Sequence, residues 1–213
     1  MNPNPNLIIF GPPGAGKDTQ VEVLLKKLDI VPIETGAIIR DMVKSDSKIA
    51  EEIKNTIARG DLVNDSLMEA IIKDKLDEVP TERGTIFDGF PRTIKQAETL
   101  HVLLSFVGRK IDKVLFLDVP EEVLIERLTQ RKICGSCGKT AFPHEERCSQ
   151  CGGELVKRID DNIESIKARI VNYRAKTAPI IAFYEKRGLI FKINGNQKPQ
   201  DVTSELLTGL GID

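Results

Sequence analysis

Short apolar runs alternate with helical patterns along most of this chain. The runs have the length of buried strands and occupy residues 7–10, 31–33, 85–87, 114–117 and 189–193. Helical periodicity fills the intervals, for example over residues 17–28, and predicts one amphipathic helix over residues 162–184. This alternation predicts an α/β fold, in which helices cover both faces of a parallel sheet and ligands bind beyond the carboxyl ends of the strands.

Two segments do not follow this alternation. Residues 35–63 contain two short helical patterns and no convincing strand. Residues 131–157 are rich in glycine, carry all the cysteines and lack helical periodicity. We expect both segments to be insertions on the α/β core.

The composition limits the possible partners. The chain has 213 residues, of which 40% are hydrophobic, and this suffices for one sizeable core. Its net charge of -1 provides no general positive field for nucleic acid, so an anionic ligand must be bound by locally clustered Lys and Arg. The apolar run after residues 1–6 is too short for a signal peptide, and no apolar segment approaches the roughly 20 residues that cross a bilayer. We therefore expect a globular protein of the cytoplasm, with neither nucleic acid nor a membrane as its partner.

A glycine-rich segment, GPPGAGKDT at residues 11–19, directly follows the first apolar run. Its three glycines allow backbone N–H groups to converge on one point, where the positive end of the next helix also lies. Lys17 adds a charge for the outer phosphates of a nucleotide, and the Thr19 hydroxyl is a candidate ligand of magnesium. A turn that merely joins strand to helix is the alternative, but strand, glycine spacing, lysine and threonine together favour a phosphate-binding loop.

The cysteines form two C-x2-C pairs, each followed by a glycine, at Cys134, Cys137, Cys148 and Cys151. This pattern predicts a structural zinc site with four thiolate ligands and no open position for catalysis. Two disulfides are the alternative, which a reducing compartment disfavours. His144 is a possible substitute ligand, but four thiolates already complete the coordination shell. We expect His144 and His101 to be exposed.

Charged residues occur where the predicted strands and helices end. Asp88 follows the third strand, where a carboxylate can order the water around magnesium, and the sequence Gly89-Phe90-Pro91-Arg92 brings Arg92 near the phosphates. A lone Asp after a strand is more often a turn former.

Several arginines also suggest an anionic ligand. Arg127 and Arg131 are four residues apart and share a helix face, where their mutual repulsion calls for a negative partner. Arg40, Arg158 and Arg169 lie near the predicted loops, although any single arginine is more often a solvated surface charge.

Taken together, these motifs resemble the adenylate kinases, and in particular the form with a zinc-containing lid. The motifs are GPPGAGKDTQ, the Thr35-Gly36 step with Arg40, DGFPRT followed by Gln96, the arginine pair, and RIDD at residues 158–161. The resemblance implies a P-loop NTPase fold with a CORE (residues 1–33, 64–130 and 161–213), a nucleoside-monophosphate-binding insertion (34–63) and a LID (131–160). It also implies a monomer that transfers a phosphoryl group from MgATP to AMP, giving two ADP, and so supports nucleotide energy homeostasis.

The resemblance assigns roles to individual residues. The donor ATP would contact Gly14, Ala15, Gly16, Lys17, Asp18, Thr19, Arg127, Arg131, Thr140, Ala141 and Gln197. The acceptor AMP would contact Thr35, Arg40, Asp61, Leu62, Val63, Gly89, Phe90, Pro91, Arg92, Gln96, Arg158 and Arg169. The catalytic residues would be Lys17, Asp88, Arg92, Arg127, Arg158 and Arg169, with ATP, magnesium and structural zinc as cofactors. No general base is expected, because the attacking oxygen of AMP is already an anion.

The chain departs from the family pattern at three places. Asp18 stands where adenylate kinases usually have Gly, and we expect its carboxylate to turn away from the donor toward a cationic neighbour. Ala37 stands where the family commonly has Asp, so one contact to the magnesium shell should be missing. The ten-residue gap between the cysteine pairs is also shorter than usual.

Two alternative functions remain open at this point. Thr35 and Gln96 favour AMP as the acceptor, but another nucleoside monophosphate kinase, of the UMP/CMP or GTP:AMP type, is the nearest alternative. The cysteine pairs alone would also suit a non-catalytic zinc-ribbon module on a P-loop scaffold.

Overall fold

The computed structural model describes residues 4–45, 47–59, 61–141, 144–158 and 160–212. Among these residues, five strands form one sheet in which every neighbouring pair is parallel, in the order β2-β3-β1-β4-β8. Its strands are β1 (Asn6–Phe10), β2 (Ile30–Glu34), β3 (Gly84–Asp88), β4 (Lys113–Asp118) and β8 (Ile190–Asn194). The α/β fold with a parallel sheet is therefore confirmed, and every strand lies within one residue of its predicted ends.

Helices pack on both faces of this sheet. They are α1 (Lys17–Lys27), α2 (Thr35–Met42), α3 (Lys48–Ala58), α4 (Asp65–Asp77), α5 (Ile94–Phe106), α6 (Glu121–Gln130), α7 (Ile163–Asn172), α8 (Ala178–Glu185) and α9 (Pro199–Leu210). Side chains of β1 alternate between the two cores: Ile8 and Phe10 face one cluster, whereas Leu7 and Ile9 face the other. Burial on both faces explains why the central strands β1, β3 and β4 are nearly continuous apolar runs in the sequence, whereas the edge strands β2 and β8 are only partly buried.

The prediction of one unbroken helix over residues 162–184 is wrong. A π-helical turn, Tyr173–Thr177, separates α7 from α8. Pro179 lies at the start of α8 and has no N–H to donate to the preceding turn, which is a common reason for an interrupted helix. The interruption places Thr177, which is buried, against the loop that follows β3.

The cysteine-rich segment forms a second, smaller sheet. Its strands are β5 (Lys132–Cys134), β6 (Thr140–Ala141) and β7 (Leu155–Val156), paired antiparallel in the order β6-β5-β7. The other predicted insertion, residues 35–63, contains α2 and α3, as its periodicity indicated.

Some sequence features lie outside the described residues. These are residues 1–3 of the N-terminal segment and Ile159 of the RIDD motif. Within the described part of the chain, no helix combines the length and the apolar character needed to cross a membrane.

Candidate functional site

The loop between β1 and α1 forms the floor of the site. Gly14 and Gly16 have positive φ angles of 84° and 92°, which favour glycine, and Gly16 directly precedes the first residue of α1. A Cβ atom on Gly14 would lie 2.9 Å from Cγ of Leu128, so a larger residue would also collide with α6. The Lys17 ammonium group curls back and donates hydrogen bonds to the carbonyls of Gly11 (3.0 Å) and Pro12 (3.3 Å). Burial lowers the pKa of Lys17, while the carboxylates of Asp88 and Asp18 oppose this shift.

This loop opens onto a cavity of about 410 Å³ at the carboxyl ends of the strands. The residues assigned above that line it are Gly14, Ala15, Gly16, Lys17, Asp18, Thr19, Arg40, Asp88, Gly89, Arg92, Arg127, Arg131, Thr140, Ala141, Arg158, Arg169 and Gln197. The assigned residues that do not line it are Thr35, Asp61, Leu62, Val63, Phe90, Pro91 and Gln96. The cavity therefore brings together the phosphate loop and side chains from segments far apart in the sequence.

The cavity wall carries a strong positive charge. Arginines from α2, the loop after β3, α6, both ends of the small sheet and α7 all contribute to it: Arg40, Arg92, Arg127, Arg131, Arg158 and Arg169. Burial is the main reason why the pKa of Arg169 falls, to about 10, and neighbouring Arg158 and Arg131 add to this effect. Burial likewise lowers the pKa of Arg92. So many cations around one buried space are costly unless an anionic ligand offsets them.

Two buried carboxylates hold part of this arginine cluster in place. Asp161 accepts hydrogen bonds from Arg131, at 2.7 and 2.6 Å, and from Arg169 at 3.1 Å. Asp160 accepts two from Arg158, at 2.9 and 2.8 Å, and forms an ion pair with Arg169 at 3.1 Å. Burial alone raises the pKa of Asp160, but the two arginines outweigh burial and lower it to about 2. These bonds fasten both ends of the small sheet to α7.

Further carboxylates lie at the strand ends. Asp88 is the last residue of β3, and in the sheet register it is paired with Glu34, the last residue of β2. Burial raises the pKa of Asp88 to about 6, Lys17 lowers it and Asp18 raises it further. The pKa of Glu34 is also raised, first by burial and then by Asp88. Glu34 lines the cavity and was missed in the sequence, although its position just before the Thr35-Gly36 step was a usable signal.

Other lining residues had been assigned no contact. Pro13, Gln20, Gly36, Ala37 and Gln130 lie in or next to the motifs found in the sequence, whereas Gly195, Pro199 and Val202 do not. Several directly adjoin assigned residues, so their position in the sequence was informative, but Pro199 and Val202 reach the site only through the packing of α9.

The backbone of Arg92 is held on both sides. Its N–H donates to Oε1 of Gln96 at 2.6 Å, and its carbonyl accepts a hydrogen bond from the Thr177 hydroxyl at 3.1 Å. Gln96 is only 2% exposed, and its amide nitrogen donates to Asp65 at 2.6 Å. In the structure Gln96 thus contacts the Arg92 loop, and neither Thr177 nor Asp65 had a sequence signal for this role.

Thr35 is buried beside the same loop. Its hydroxyl donates to the carbonyl of Asp88 at 3.2 Å. Gly89 follows with a φ of 82°, and a Cβ atom there would lie 2.6 Å from the Thr35 hydroxyl. The β2 and β3 ends therefore approach each other too closely for any side chain at residue 89.

Asp18 contacts the small sheet. Its carboxylate accepts a hydrogen bond at 3.0 Å from the hydroxyl of Thr140, and the cations whose charges act on it are Lys17, Arg131 and Arg158. Burial raises the pKa of Asp18, but the charge of Lys17 and the bond from Thr140 outweigh burial and lower it. Asp18 is therefore a charged group on the cavity wall, directly joined to β6.

The four cysteine side chains converge. The Sγ atoms of Cys134, Cys137, Cys148 and Cys151 all lie within 4.8 Å of one another. The pairs Cys134–Cys151 and Cys137–Cys148 are 3.4 and 3.5 Å apart. Thiolates around a tetrahedral zinc ion, with bonds of about 2.3 Å, are separated by roughly 3.8 Å, so the set fits zinc. All four are free cysteines, and their separations are too long for disulfides.

The two histidines lie in different environments. His144 is exposed, as expected. His101 is partly buried, with its ring 5.6 Å from that of Tyr184, so the expectation that it is exposed is wrong. Its Nε2 atom is buried and has no hydrogen-bond partner among the described residues. Burial lowers the pKa of His101, and the nearby Arg187 lowers it further.

Comparison with known proteins agrees with this geometry. A family model described as adenylate kinase matches residues 9–189. A protein named adenylate kinase from Novosphingobium aromaticivorans is 42% identical over 208 residues, covering 94% of this chain and 96% of the relative. This chain is also 42% identical to an adenylate kinase from Caldicellulosiruptor bescii, with 97% of this chain and 99% of the relative covered. It is 38% identical to an adenylate kinase from Archaeoglobus fulgidus, with 94% of this chain and 95% of the relative covered.

Proposed function

The chain belongs to the adenylate kinase family, and from this membership and the site geometry we propose that it transfers the γ-phosphoryl group of ATP to AMP. The reaction gives two ADP, is reversible and serves nucleotide energy homeostasis. The observation that carries the proposal is the single cavity in which the phosphate loop meets the arginine cluster. A donor and an acceptor, both rich in phosphate, would supply the negative charge that these cations require.

The donor binds over the phosphate loop. Backbone N–H groups of residues 14–19 and the positive end of α1 surround its β- and γ-phosphates. The Lys17 ammonium group exchanges its bonds to loop carbonyls for phosphate oxygens. Arg127 and Arg131 bind the rest of the polyphosphate and the adenine, and the adenosine end also meets Thr140, Ala141 and Gln197.

The acceptor binds on the opposite side of the cavity. Arg40, Arg92, Arg158 and Arg169 surround its phosphate and the group in transit. The family resemblance assigns its nucleoside to residues near α2 and the end of β3, of which Gly89 lines the cavity and the others do not: Thr35, Asp61, Leu62, Val63, Phe90, Pro91 and Gln96. Gln96 also acts through Arg92, because its side chain holds the Arg92 backbone.

The chemical step needs charge neutralisation and alignment. An oxygen of the AMP phosphate forms a bond to the γ-phosphorus, the bond from this phosphorus to the β–γ bridging oxygen breaks, and its electron pair leaves with ADP. No proton has to move, which fits a site rich in arginine. A single arginine aimed at the transferring group is worth about 10³- to 10⁵-fold in rate in comparable enzymes. Closure of the lid excludes water, which would otherwise accept the phosphoryl group.

Two metal ions fit the residues present. The Thr19 hydroxyl and the Asp88 carboxylate are the hard oxygen groups that magnesium prefers, directly or through water. Magnesium, when bound, neutralises charge on the β- and γ-phosphates. Zinc at the four cysteines has a structural role, because four thiolates complete its shell, and its binding stabilises a lid that has little core of its own.

We also propose the arrangement implied by the family. The CORE comprises residues 1–33, 64–130 and 161–213, the acceptor-binding insertion residues 34–63 and the LID residues 131–160. The protein works as a monomer in the cytoplasm, where its cysteines remain reduced and available for zinc.

A coupled assay tests the proposed reaction. ADP formation is measured with ATP or GTP as donor and with AMP, CMP, UMP or GMP as acceptor. We expect the ATP and AMP combination to be the fastest by far. Preference for another pair would identify a different nucleoside monophosphate kinase. Absence of any transfer, together with failure to bind the mimic in which two adenosines are joined by five phosphates, would refute catalysis.

Single substitutions test the site. Lys17→Ala and Arg92→Ala should each lower kcat/KM by at least about 10³-fold, because each removes a cation from the transferring group. Arg83→Ala is the matched control, since Arg83 pairs with Asp29 outside the cavity. Equal activity of all three variants would contradict the assigned roles.

A further inference from the structure

A direct contact joins the first turns of α1 to the small sheet. Asp18 and Glu22 are one helical turn apart and so share a face of α1. The Asp18 carboxylate accepts a hydrogen bond from the Thr140 hydroxyl at 3.0 Å, and Glu22 forms an ion pair with Lys139 at 3.6 Å. These four residues, Asp18, Glu22, Lys139 and Thr140, are called the lid latch below.

The lid half of the latch is firmly attached to the rest of the lid. The carbonyl of Lys139 accepts a hydrogen bond from the N–H of Cys134 at 2.8 Å. Thr140 is paired with Ile133 of β5 in the antiparallel ladder. The latch residues and the small sheet are therefore expected to move together.

The half of the latch on α1 lies next to the phosphate loop. Asp18 is the second residue of α1, directly after Lys17 of the phosphate loop, so its position is set by the loop that binds phosphate. A carboxylate there is unfavourable for a polyphosphate ligand, because the two negative charges repel each other. The hydrogen bond to Thr140 gives this carboxylate a partner on the lid and keeps it at the cavity wall.

We propose that Asp18 is a positioning residue that holds the lid over the phosphate loop through its bond to Thr140, assisted by the pair between Glu22 and Lys139. Every group in the latch belongs to the chain, so the latch favours the closed lid before a nucleotide adds its own contacts. The inference rests on these contacts and is independent of which nucleotides react. In the proposed function it would preform the part of the donor site that the lid contributes.

The latch acts through a change in the ratio of closed to open lids. A hydrogen bond to a charged group that is partly exposed changes such an equilibrium by about tenfold, which is about 1.4 kcal/mol. The ion pair between Glu22 and Lys139 contributes less, because Glu22 is 48% exposed and solvent weakens the attraction.

The test measures lid position in the full-length, zinc-loaded protein without nucleotide. Fluorophores are attached through unnatural amino acids at Lys26 on α1 and Glu146 in the lid, both exposed, so that the cysteines stay bound to zinc. Single-molecule energy transfer then gives the populations of closed and open lids. Zinc content is measured for each variant.

The expected results form a double-mutant cycle. Thr140→Val and Asp18→Ala should each lower the closed-to-open ratio by about tenfold, and the double variant should be no more open than either single variant. Thr140→Ser, which keeps the hydroxyl, should retain the closed population. If Thr140→Val loses zinc, the closed-to-open ratio of Asp18→Ala relative to the parent protein tests the proposal, because Asp18 lies outside the lid.

A matched pair of lysine variants tests the ion pair between Glu22 and Lys139. Lys139→Gln should open the lid slightly, whereas Lys157→Gln, at an exposed lid lysine, should not. The charge reversal Glu22→Lys combined with Lys139→Glu should restore the parent populations. The proposal is overturned if Asp18→Ala leaves the populations unchanged, or if the effects of Asp18→Ala and Thr140→Val simply add. Inactivity in the nucleotide assay with an intact latch would instead count against the proposed function alone.

Discussion

Replacing Asp160 by asparagine removes one of the two carboxylates that hold the arginine cluster. The Asp160 side chain is 11% exposed and contacts Arg158 and Arg169, which are themselves 12% and 17% exposed. Asparagine has nearly the same shape but no charge, so Asp160→Asn tests the charge rather than the packing. Two partly buried guanidinium groups then lose a negative partner and face each other.

The magnitude follows from the pKa of this carboxyl group. The two arginines overcome the effect of burial and lower the pKa of Asp160 from 3.8 to about 2. Since a pKa difference of one corresponds to about 1.4 kcal/mol, the ionised group stabilises the folded chain by about 2 kcal/mol at neutral pH. A carboxyl group with a lowered pKa contributes this stability above pH 3.8 and loses it as the pH falls through about 2. About half of it should remain at pH 3.

Urea unfolding at pH 7, 5, 4 and 3 measures the effect. The free energy of unfolding of Asp160→Asn should lie about 2 kcal/mol below that of the parent at pH 7, and the gap should narrow toward pH 3. Asp41→Asn is the control, because Asp41 also pairs with a cation, Lys44, but its side chain is 72% exposed. The reasoning is refuted if the two variants are equally stable, or if the gap for Asp160→Asn is the same at pH 5 and pH 3.

Three further predictions concern other parts of the molecule. Thr177→Val should raise the KM for AMP about tenfold with little change in the KM for ATP, because the Arg92 carbonyl loses its hydrogen-bond donor. Thr177→Ser keeps the hydroxyl and should retain the KM of the parent protein. An unchanged KM for AMP in Thr177→Val would exclude this role. His101 should contribute a part of the free energy of unfolding that decreases as the pH falls below about 6.5, because the unfolded chain protonates at His101 before the folded chain does. In urea unfolding at several pH values, the free energy of unfolding of the parent protein minus that of His101→Leu should therefore decrease as the pH falls, and a difference that does not change with pH would contradict the assignment. Removing zinc with a chelator should abolish hydrogen-exchange protection in β5–β7 but not in the parallel sheet. Equal loss of protection in the small sheet and the parallel sheet would contradict a zinc role confined to the small sheet.

The parallel sheet could be predicted because its signal is local. The central strands β1, β3 and β4 are short runs of residues buried on both faces, and the partly buried edge strands β2 and β8 each keep a short apolar run, so the position of every strand in the chain is visible without knowledge of its neighbours. The helix over residues 162–184 shows the limit of the same method. Its apolar period continues through the break, and the backbone hydrogen bond from the N–H of Ala178 to the carbonyl of Tyr173 reveals the π-helical turn.

Part of the candidate site could also be predicted from local spacing, and part could not. The phosphate loop and the cysteine pairs bring their own groups together within a few residues, so their spacing predicts a phosphate site and a four-thiolate cluster. Gln96 illustrates what spacing omits, since the bond from its side chain to Asp65 spans 31 positions. His101 was expected on the surface because nothing in its neighbourhood in the sequence indicates the ring of Tyr184.

The sequence by itself determined where the strands of the parallel sheet lie along the chain, which loop is the candidate phosphate site and which cysteines are spaced to bind zinc. These features depend on periodicity and on short covalent spacing, which are local properties of a chain. Only the tertiary structure decided which polar groups meet across the cavity: the carboxylate of Asp18, for example, accepts its hydrogen bond from Thr140, 122 positions away. Such pairs depend on how whole elements pack, because the free energy of burying a charged group is set by the neighbours that the fold brings to it.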